Sequence, residues 1–307
     1  MDNANFQKKQ MQEAAILYYE KKYTQQEVAD IMHLSRQTVS KLLNDALTEN
    51  IVEIKINNPE VACAELEREL CARTGLANAV VCGVSSMDES LRQMMTVRAA
   101  ADYLQAMIEQ GHQRIGISWG RTIQMLVSEF PNIATTDNVV FPLFGATDQE
   151  ESYFLSNELA RSFADKIDAK VRYAWFPYKP DSDEDSKLFR NTSYYKKVSD
   201  LWNSIDIAVV GIGNSAMLQS FGKIFGYNEK GFSAVGDIST HFFDGEGKFV
   251  ELYENTLCAS VDNLRNAKHT IAIASGDNKV EAIIGALHTG VVDTLIADEY
   301  TVRKILG

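Results

Sequence analysis

Residues 24–50 read TQQEVADIMHLSRQTVSKLLNDALTEN, which is the pattern of two short helices joined by a tight turn. Thr24 and Glu27 form a capping box, which predicts the start of the first helix. Ser35 is an N-cap residue and predicts the start of the second helix. His33 falls where the chain must turn, and histidine is among the residues that tolerate a positive φ. The stretch is therefore predicted to form a helix-turn-helix motif.

The first turns of the second helix carry polar side chains that suit the DNA major groove. Its buried stripe consists of residues at helical spacing, namely Val39, Leu42, Leu43, Ala46 and Leu47. The predicted DNA-binding residues are Ser35, Arg36, Gln37, Thr38, Ser40 and Lys41. Arg and Gln side chains can pair with base edges, whereas Ser, Thr and Lys can hold phosphates. The alternative for this segment is a helical hairpin that only packs.

The length and composition indicate a soluble globular protein with one small and one large domain. The chain has 307 residues, of which 45% are hydrophobic and 23% are charged. No apolar run approaches the length of a membrane span, and the first ten residues are polar, so we expect a cytoplasmic protein without membrane contact. The four cysteines form no CxxC pair and have no histidine nearby, so no metal site is predicted.

The net charge of −12 is concentrated in the larger part of the chain. Residues 1–57 contain seven Lys or Arg and eight Asp or Glu, whereas residues 58–307 contain 23 and 34. Because neutralisation of phosphates supplies much of the affinity for DNA, a single near-neutral reading unit would bind weakly. We therefore expect a homo-oligomer that places several reading units on one operator.

The segment 57–59, Asn-Asn-Pro, marks the predicted boundary between a domain of residues 1–57 and a domain of residues 58–307. In the first domain a helix over residues 5–23 is expected to support the motif. The run IVEIKI at 51–56 alternates and is β-branched, which predicts a strand of the kind that forms a wing.

In the second domain, apolar strands alternate with amphipathic helices, which predicts an α/β domain with a mostly parallel, Rossmann-like sheet covered on both faces. The predicted strands are residues 79–84, 114–120, 138–145, 170–176, 206–213, 269–276 and 293–299. The predicted helices are residues 60–74, 87–110, 121–130, 153–167, 194–203, 216–225, 279–288 and 300–306. Residues 177–187 and most of 231–247 are predicted as loops, and Pro142 implies an edge or end position in its strand.

Ligands in such folds bind outside the C-terminal ends of the strands, and four strand-end loops here are polar or rich in glycine. Two of them, around Gly120 and Gly213, lead from a strand through a glycine turn into a helix, as in phosphate cradles. Asp237 could accept hydrogen bonds from sugar hydroxyls, and Lys279 is a natural counter-charge for a phosphate. The candidate residues are Gly120, Arg121, Thr122, Gly213, Asp237, Ser275, Gly276 and Lys279.

Each of these turns taken singly could be only a tight connection, but together they could converge on a phosphorylated polyhydroxy molecule. The chain contains no GxxxxGK[ST] pattern, and GIGNSAM lacks the final glycine of GxGxxG. A nucleotide is therefore not expected, and no cofactor is predicted.

Six motifs occur in a characteristic order along nearly the whole chain. They are YTQQEVADIMHLSRQTVSKLLNDA, GISWGRT, DIAVVGIG, AVGDISTHFFDGEG, SGDNKVEAIIGAL and DTLIADEYTVRKIL. In these motifs the chain resembles the SorC family of bacterial sugar-responsive transcriptional regulators. The residues predict a winged helix-turn-helix domain, and the resemblance implies that an effector domain similar to ribose-5-phosphate isomerase and glucosamine-6-phosphate deaminase follows it. It also implies a phosphorylated sugar as effector, and homodimers or homotetramers on operator DNA.

The resemblance also implies roles for single residues. Gly120, Arg121 and Thr122 would lie in a phosphate-binding loop together with Lys279, and Asp237 would meet the sugar.

Two residues depart from the family pattern. Phe144 occupies the strand-end position at which a deoxyribose-phosphate-responsive relative is expected to carry a Schiff-base lysine. A covalent imine, and deoxyribose 5-phosphate as effector, are therefore not expected. Ser275 stands where a second glycine is common, and its hydroxyl either adds a phosphate contact or is only tolerated.

The leading hypothesis is a DNA-binding transcriptional regulator of a carbohydrate-utilisation operon, controlled by a phosphorylated sugar rather than acting as an enzyme. The alternative is a sugar-phosphate isomerase or deaminase with an appended DNA-binding domain, in which Asp237 and His241 form an acid–base pair. The strand-end loops have no second carboxylate at a motif position, which argues against it. A third possibility is a purely structural oligomerisation domain.

Overall fold

The computed structural model describes residues 2–53, 63–84, 88–147, 155–216 and 233–307, with the side chains from residue 6 onward. The chain divides into two compact units, Met1–Pro59 and Glu60–Gly307. No helix in the described ranges is both long and apolar enough to cross a membrane. The four cysteines are free thiols.

In the first unit the described residues form α1 (Asp2–Ala15), a π-helical turn (Ile16–Glu20), α2 (Gln25–Met32) and α3 (Arg36–Thr48). The hydroxyl of Thr24 accepts a hydrogen bond of 3.3 Å from the N–H of Glu27, whose carboxylate accepts one of 2.7 Å in return. Ser35 caps α3 by accepting a bond from the N–H of Thr38. His33 takes a φ of 52° in the turn. The predicted helix-turn-helix motif is confirmed.

The strand predicted over residues 51–56 is wrong for the part that the structure describes. The N–H groups of Ile51 and Val52 both donate to the carbonyl oxygen of Ala46, at 2.9 and 3.1 Å, and so close the end of α3. Their side chains pack on the core of the first unit. These backbone groups therefore terminate a helix instead of pairing in a ladder, and residues 54–56 lie outside the described residues.

The second unit is built on a sheet whose long path is parallel throughout. Its described strands are β1 (Asn78–Cys82), β2 (Arg114–Ile117), β3 (Val139–Pro142), β4 (Lys170–Val171), β5 (Ile207–Asn214), β6 (Ala234–Ile238), β7 (His241–Asp244), β8 (Phe249–Val250), β9 (His269–Ile273) and β10 (Thr294–Asp298). The order β1-β10-β9-β5-β2-β3-β4 contains only parallel pairs, and β6 to β8 extend from β5 as an antiparallel ribbon. The mostly parallel sheet is confirmed, and Pro142 takes the end position in its strand.

Helices cover both faces of this sheet. They are α4 (Ala64–Thr74), α5 (Glu89–Ile108), α6 (Arg121–Glu129), α7 (Ser156–Lys166), α8 (Asp183–Asn191), α9 (Ser193–Trp202), α10 (Val261–Arg265), α11 (Val280–His288) and α12 (Glu299–Leu306). One buried cluster joins α5, α6 and α7 to Ile207 and Val209 of β5, and another joins α4, α9, α11 and α12 to Ala208 and Val210. Alternate residues of one strand thus face opposite cores, as in a doubly wound α/β fold.

Two predictions between residues 170 and 191 are wrong. The strand expected over 170–176 shortens to β4, because the Asn157 side chain bonds the N–H of Ala174 at 2.8 Å and its carbonyl at 3.2 Å. The loop expected over 177–187 contains the start of α8, which Ser182 caps. The acidic residues that suggested a surface loop occupy the first turn of this helix, where negative charge is favourable.

The stretch 231–247, predicted mostly as loop, contains β6 and β7. β6 pairs with the end of β5, with Asp237 opposite Gly213. This close pairing requires Gly236, because a Cβ there would lie 2.6 Å from the carbonyl oxygen of Gly213. Glycine and aspartate are depleted in strands, which is why the pattern did not indicate one. From residue 217 onward the predicted helix over 216–225 lies outside the described residues.

Candidate functional site

In the second unit the order in which successive strands are added to the sheet reverses between β2 and β5. From β2 the sheet continues to β3 and β4 on one side, whereas from β5 it continues through β9 and β10 to β1 on the other. Such a switch point is the usual ligand site of a doubly wound fold. A cavity of about 400 Å³ lies there.

Seven of the eight residues predicted to bind the effector line this cavity: Gly120, Arg121, Thr122, Gly213, Asp237, Ser275 and Lys279. The eighth, Gly276, lies outside the lining. The lining also contains residues that were not predicted as ligands: Glu89, Gln93, Ser118, Trp119, Gly211, Ile212, Asn214, Ala216, Ser239 and Asn278. Of these, Glu89 and Gln93 lie at the start of α5, the helix that follows β1. Since that turn belongs to the same edge of the sheet, its position was a signal that could have identified them.

Gly120 exposes the N-terminus of α6 to the cavity. Its φ of 106° and ψ of 165° are a conformation that residues with a side chain rarely adopt. A Cβ built on Gly120 would meet no atom within 4 Å, so a ligand can approach the backbone closely here. The first turn of a helix carries N–H groups without intrahelical partners, and it favours an anion. The adjacent Arg121 adds a positive charge to this end of the cavity.

Asp237 and Lys279 place opposite charges in the cavity wall. Burial raises the pKa of Asp237 to about 6, although the N–H of Thr240 and the charge of Lys279 act to lower it. Burial likewise lowers the pKa of Lys279, against the charges of Asp237 and Glu89. Asp237 Oδ2 accepts from the N–H of Thr240 at 3.3 Å, whereas its buried Oδ1 receives no hydrogen bond from the described part of the protein. That oxygen can accept a bond from a ligand hydroxyl.

His241 does not share this cavity with Asp237. It lines a separate cavity of about 370 Å³ beside β7 and β8, where its Nε2 lies 2.7 Å from the carbonyl oxygen of Ala259. Burial lowers the pKa of its ring. The acid–base pair considered from the sequence is therefore not assembled. Phe144, at the position of the expected lysine, is buried and packs edge-to-face on Tyr178.

In the first unit, five of the six predicted DNA-binding residues are exposed: Ser35, Arg36, Gln37, Thr38 and Lys41. The sixth, Ser40, is half-buried. The hydroxyls of Ser35 and Thr38 lie 2.7 Å apart within the helix cap, so local hydrogen bonds already hold them. Arg36, Gln37 and Lys41 are the longer side chains, with the reach to contact bases or phosphates.

The N-termini of α2 and α3 open on one cleft of about 740 Å³. It is lined by Tyr18, Tyr19, Lys22, Tyr23, Thr24, Gln25, Gln26 and Arg36. Two helix N-termini and the charges of Lys22 and Arg36 favour a phosphate backbone at this surface. The sequence prediction was confined to α3 and did not include Lys22 and Gln25, which line the same cleft, although the capping box at Thr24 marked a helix N-terminus beside them.

Comparisons with known proteins cover both units. Residues 58–307 match the family model described as "Putative sugar-binding domain", and residues 10–49 match that of Sigma-70, region 4. The sorbitol operon regulator of Klebsiella pneumoniae is 31% identical over 306 residues, which span 95% of this chain and 96% of that protein. The deoxyribonucleoside regulator of Bacillus subtilis is 28% identical over 303 residues, or 96% of each chain. The crystal structure of the full-length sorbitol operon regulator SorC from Klebsiella pneumoniae superposes with a TM-score of 0.76 at 28% identity, covering all of both chains.

Proposed function

Because this chain belongs to the SorC family of sugar-responsive transcriptional regulators, we propose that a phosphorylated sugar in the strand-end cavity controls its binding to operator DNA. Residues 1–57 bind DNA, and residues 58–307 bind the effector and hold the oligomer together. The regulated genes belong to a carbohydrate-utilisation operon, and the protein acts in the cytoplasm, where that DNA lies.

The phosphate group of the effector occupies the end of the cavity formed by Gly120, Arg121, Thr122 and Lys279. Two features favour an anion in this cavity: the N-terminus of α6, which the backbone of Gly120 leaves open, and the two cationic side chains in the lining. Lys279 is half-buried, and burial lowers its pKa. A phosphate beside its ammonium group therefore interacts with it more strongly than it would at the protein surface.

The observation that carries the proposal is the buried Oδ1 of Asp237, which receives no hydrogen bond from the described residues. A buried carboxylate oxygen without a donor is costly, and a sugar hydroxyl supplies that donor. Gln93, Asn214 and Ser239 add polar groups to the same lining. A molecule with one anionic end and several hydroxyls therefore matches the cavity better than an apolar ligand or a bare anion.

Operator recognition depends on α3. Arg36 and Gln37 contact base edges, while Lys41 and Lys22 contact phosphates around the two helix N-termini. The near-neutral charge of residues 1–57 supports a homodimer or homotetramer as the binding form, since several units add their phosphate contacts. The effector acts because it binds the DNA-competent and DNA-incompetent forms with different affinity.

Thermal unfolding of the full-length protein tests this proposal. The panel contains pentose, hexose and polyol phosphates, each beside its unphosphorylated counterpart. We expect one phosphate to raise the Tm by several degrees while its unphosphorylated counterpart does not. Stabilisation by an unphosphorylated sugar, or by no compound of the panel, would count against a phosphorylated effector. Turnover of any of these compounds above background would instead make the protein an enzyme.

A further inference from the structure

The outer side of α1 forms an apolar groove that the first unit leaves open. The groove has a volume of about 490 Å³ and is lined by Phe6, Lys9, Gln10, Glu13, Ile16, Leu17, Ile31 and Met32. Phe6 is 61% exposed, Ile31 49% and Ile16 37%. A helix on the surface of a small unit normally shows polar residues on its outer face. Exposed apolar residues gathered in one groove, rather than scattered singly, mark an interaction surface.

The core of the unit accounts for only two of the groove residues, Leu17 and Met32, which are partly buried against it. Of the described α1 side chains, those of Met11, Ala14 and Ala15 are buried in the core, on the other side of the helix. The groove also shares no residue with the cleft at the N-termini of α2 and α3. A protein docked in the groove therefore leaves that cleft and the exposed face of Arg36 and Gln37 free for DNA.

Four of the six groove residues between positions 6 and 17 are spaced symmetrically along α1 and the first residue of the π-helical turn that follows it. Phe6 and Ile16 lie five residues to either side of position 11, and Lys9 and Glu13 lie two residues to either side. We propose that this groove is where a second copy of the chain docks, with the two α1 helices antiparallel about a two-fold axis near position 11. Each Lys9 then meets the Glu13 of the other copy, and each Phe6 packs on the other Ile16.

Charge decides between this arrangement and a parallel one. Two parallel helices in register would place Lys9 against Lys9 and Glu13 against Glu13, and like charges across an interface are costly. The antiparallel pair brings opposite charges together at two symmetric contacts, as an isologous two-fold interface requires. The contact joins two reading units directly.

Two single variants of the full-length chain test the pairing. Glu13→Lys gives a chain with lysine at positions 9 and 13, and Lys9→Glu gives one with glutamate at both. Neither chain can pair with itself in the proposed register without repulsion, but the two chains can pair with each other. Mixing them changes no helix internally, so a gain on mixing cannot come from the i,i+4 interaction of these positions within one helix.

The two chains are produced together with different tags, purified through both tags and treated with a zero-length carbodiimide cross-linker. Mass spectrometry should find two amide links. One joins position 9 of the Glu13→Lys chain to position 13 of the Lys9→Glu chain, and the other joins position 13 of the Glu13→Lys chain to position 9 of the Lys9→Glu chain. Such links join different chains by construction. Their absence, when cross-links elsewhere show that the two chains are assembled, would overturn the proposal. Links from these positions to residues 60–307 would overturn it too, since the groove would then hold the other unit.

Lys8 of the Glu13→Lys chain is the internal control, because it is a lysine one position from Lys9 but outside the groove, where it lies 3.9 Å from Glu49 of its own unit. In the same mixture it should link to positions 9 and 13 of the Lys9→Glu chain far less than Lys9 and the lysine introduced at position 13 do. Phe6→Ser in both chains of this mixture should lower the yield of the two cross-links, because it removes the apolar contact but leaves the charges. Circular dichroism of each variant checks that α1 remains folded.

Discussion

The backbone N–H of Gly276 donates a hydrogen bond of 2.9 Å to the hydroxyl of Thr301, at the start of α12. Thr301 in turn donates to the buried carboxylate of Asp298, which also bonds the buried guanidinium of Arg92 on α5. The turn that precedes Lys279 is therefore held by α12 directly and by α5 through the Asp298 carboxylate. Gly276 itself has a φ of 118°, a conformation that only glycine adopts readily.

Thr301→Val should weaken effector binding although Thr301 does not line the cavity. The substitution leaves the buried N–H of Gly276 without a partner, which costs about 1–3 kcal/mol of stability. The turn then loses the position that presents Lys279 to the phosphate. Thr301→Ser keeps the hydroxyl and is the control. Titration of both variants with the effector found in the thermal panel checks this, and equal affinities for Thr301→Val and Thr301→Ser would show that the hydrogen bond does not position the turn.

Lys279→Ala should weaken effector binding and leave DNA binding without effector intact. The substitution removes the cation that we propose opposes the phosphate, and it leaves the proposed reading helix in the first unit unchanged. Lys197→Ala removes an exposed lysine outside the cavity and is the control. Calorimetric titration of the effector and fluorescence anisotropy with operator DNA measure the two properties. An unchanged effector affinity in Lys279→Ala would refute its role in phosphate binding.

Asp237→Asn should flatten the dependence of stability on pH in the absence of effector. Burial raises the pKa of this carboxyl from 3.8 to about 6, so the folded state binds its proton more tightly than the unfolded state. The resulting stabilisation is complete below about pH 4 and is lost as the pH rises through 6. Between pH 5 and 7 the free energy of unfolding should fall by about 1 kcal/mol more in the native protein than in the variant. Urea unfolding at both pH values measures this, and parallel losses would mean that Asp237 is already ionised at pH 5.

Arg36→Ala and Gln37→Ala should each reduce discrimination between operator and random DNA. A bidentate contact to a base is worth about 1–3 kcal/mol of specificity. Asn44→Ala, at an exposed position two turns further along α3, is the control. Binding is measured on both DNAs at the same salt concentration, because phosphate contacts depend on salt. Equal losses on operator and random DNA would show that Arg36 or Gln37 contacts phosphates instead.

The parts predicted correctly from the sequence are those that local rules determine. The capping box at Thr24 and Glu27 needs only residues three apart, and it is formed. The alternation of strands and helices predicts where strand ends lie, and through them six of the residues that line the cavity, whereas Asp237 lies within β6. A parallel sheet brings its C-terminal strand ends to one edge, so no long-range contact had to be known in advance.

The parts predicted wrongly depend on partners far away in the chain. β6 is a strand because Asp237 lies opposite Gly213 on β5, and no local pattern contains that pairing. The predicted strand 170–176 is shortened to β4 because the side chain of Asn157 bonds the backbone of Ala174.

We propose that effector binding and DNA binding are coupled within one chain. Operator DNA selected from a random pool would be titrated with the full-length protein, with and without a saturating amount of the stabilising sugar phosphate. We expect at least about a fivefold change in operator affinity, the range of typical allosteric coupling. We also expect Lys279→Ala to bind the same DNA without responding to the same concentration of effector. An operator affinity of the native protein that stays constant at saturating effector would show that the two sites are not coupled.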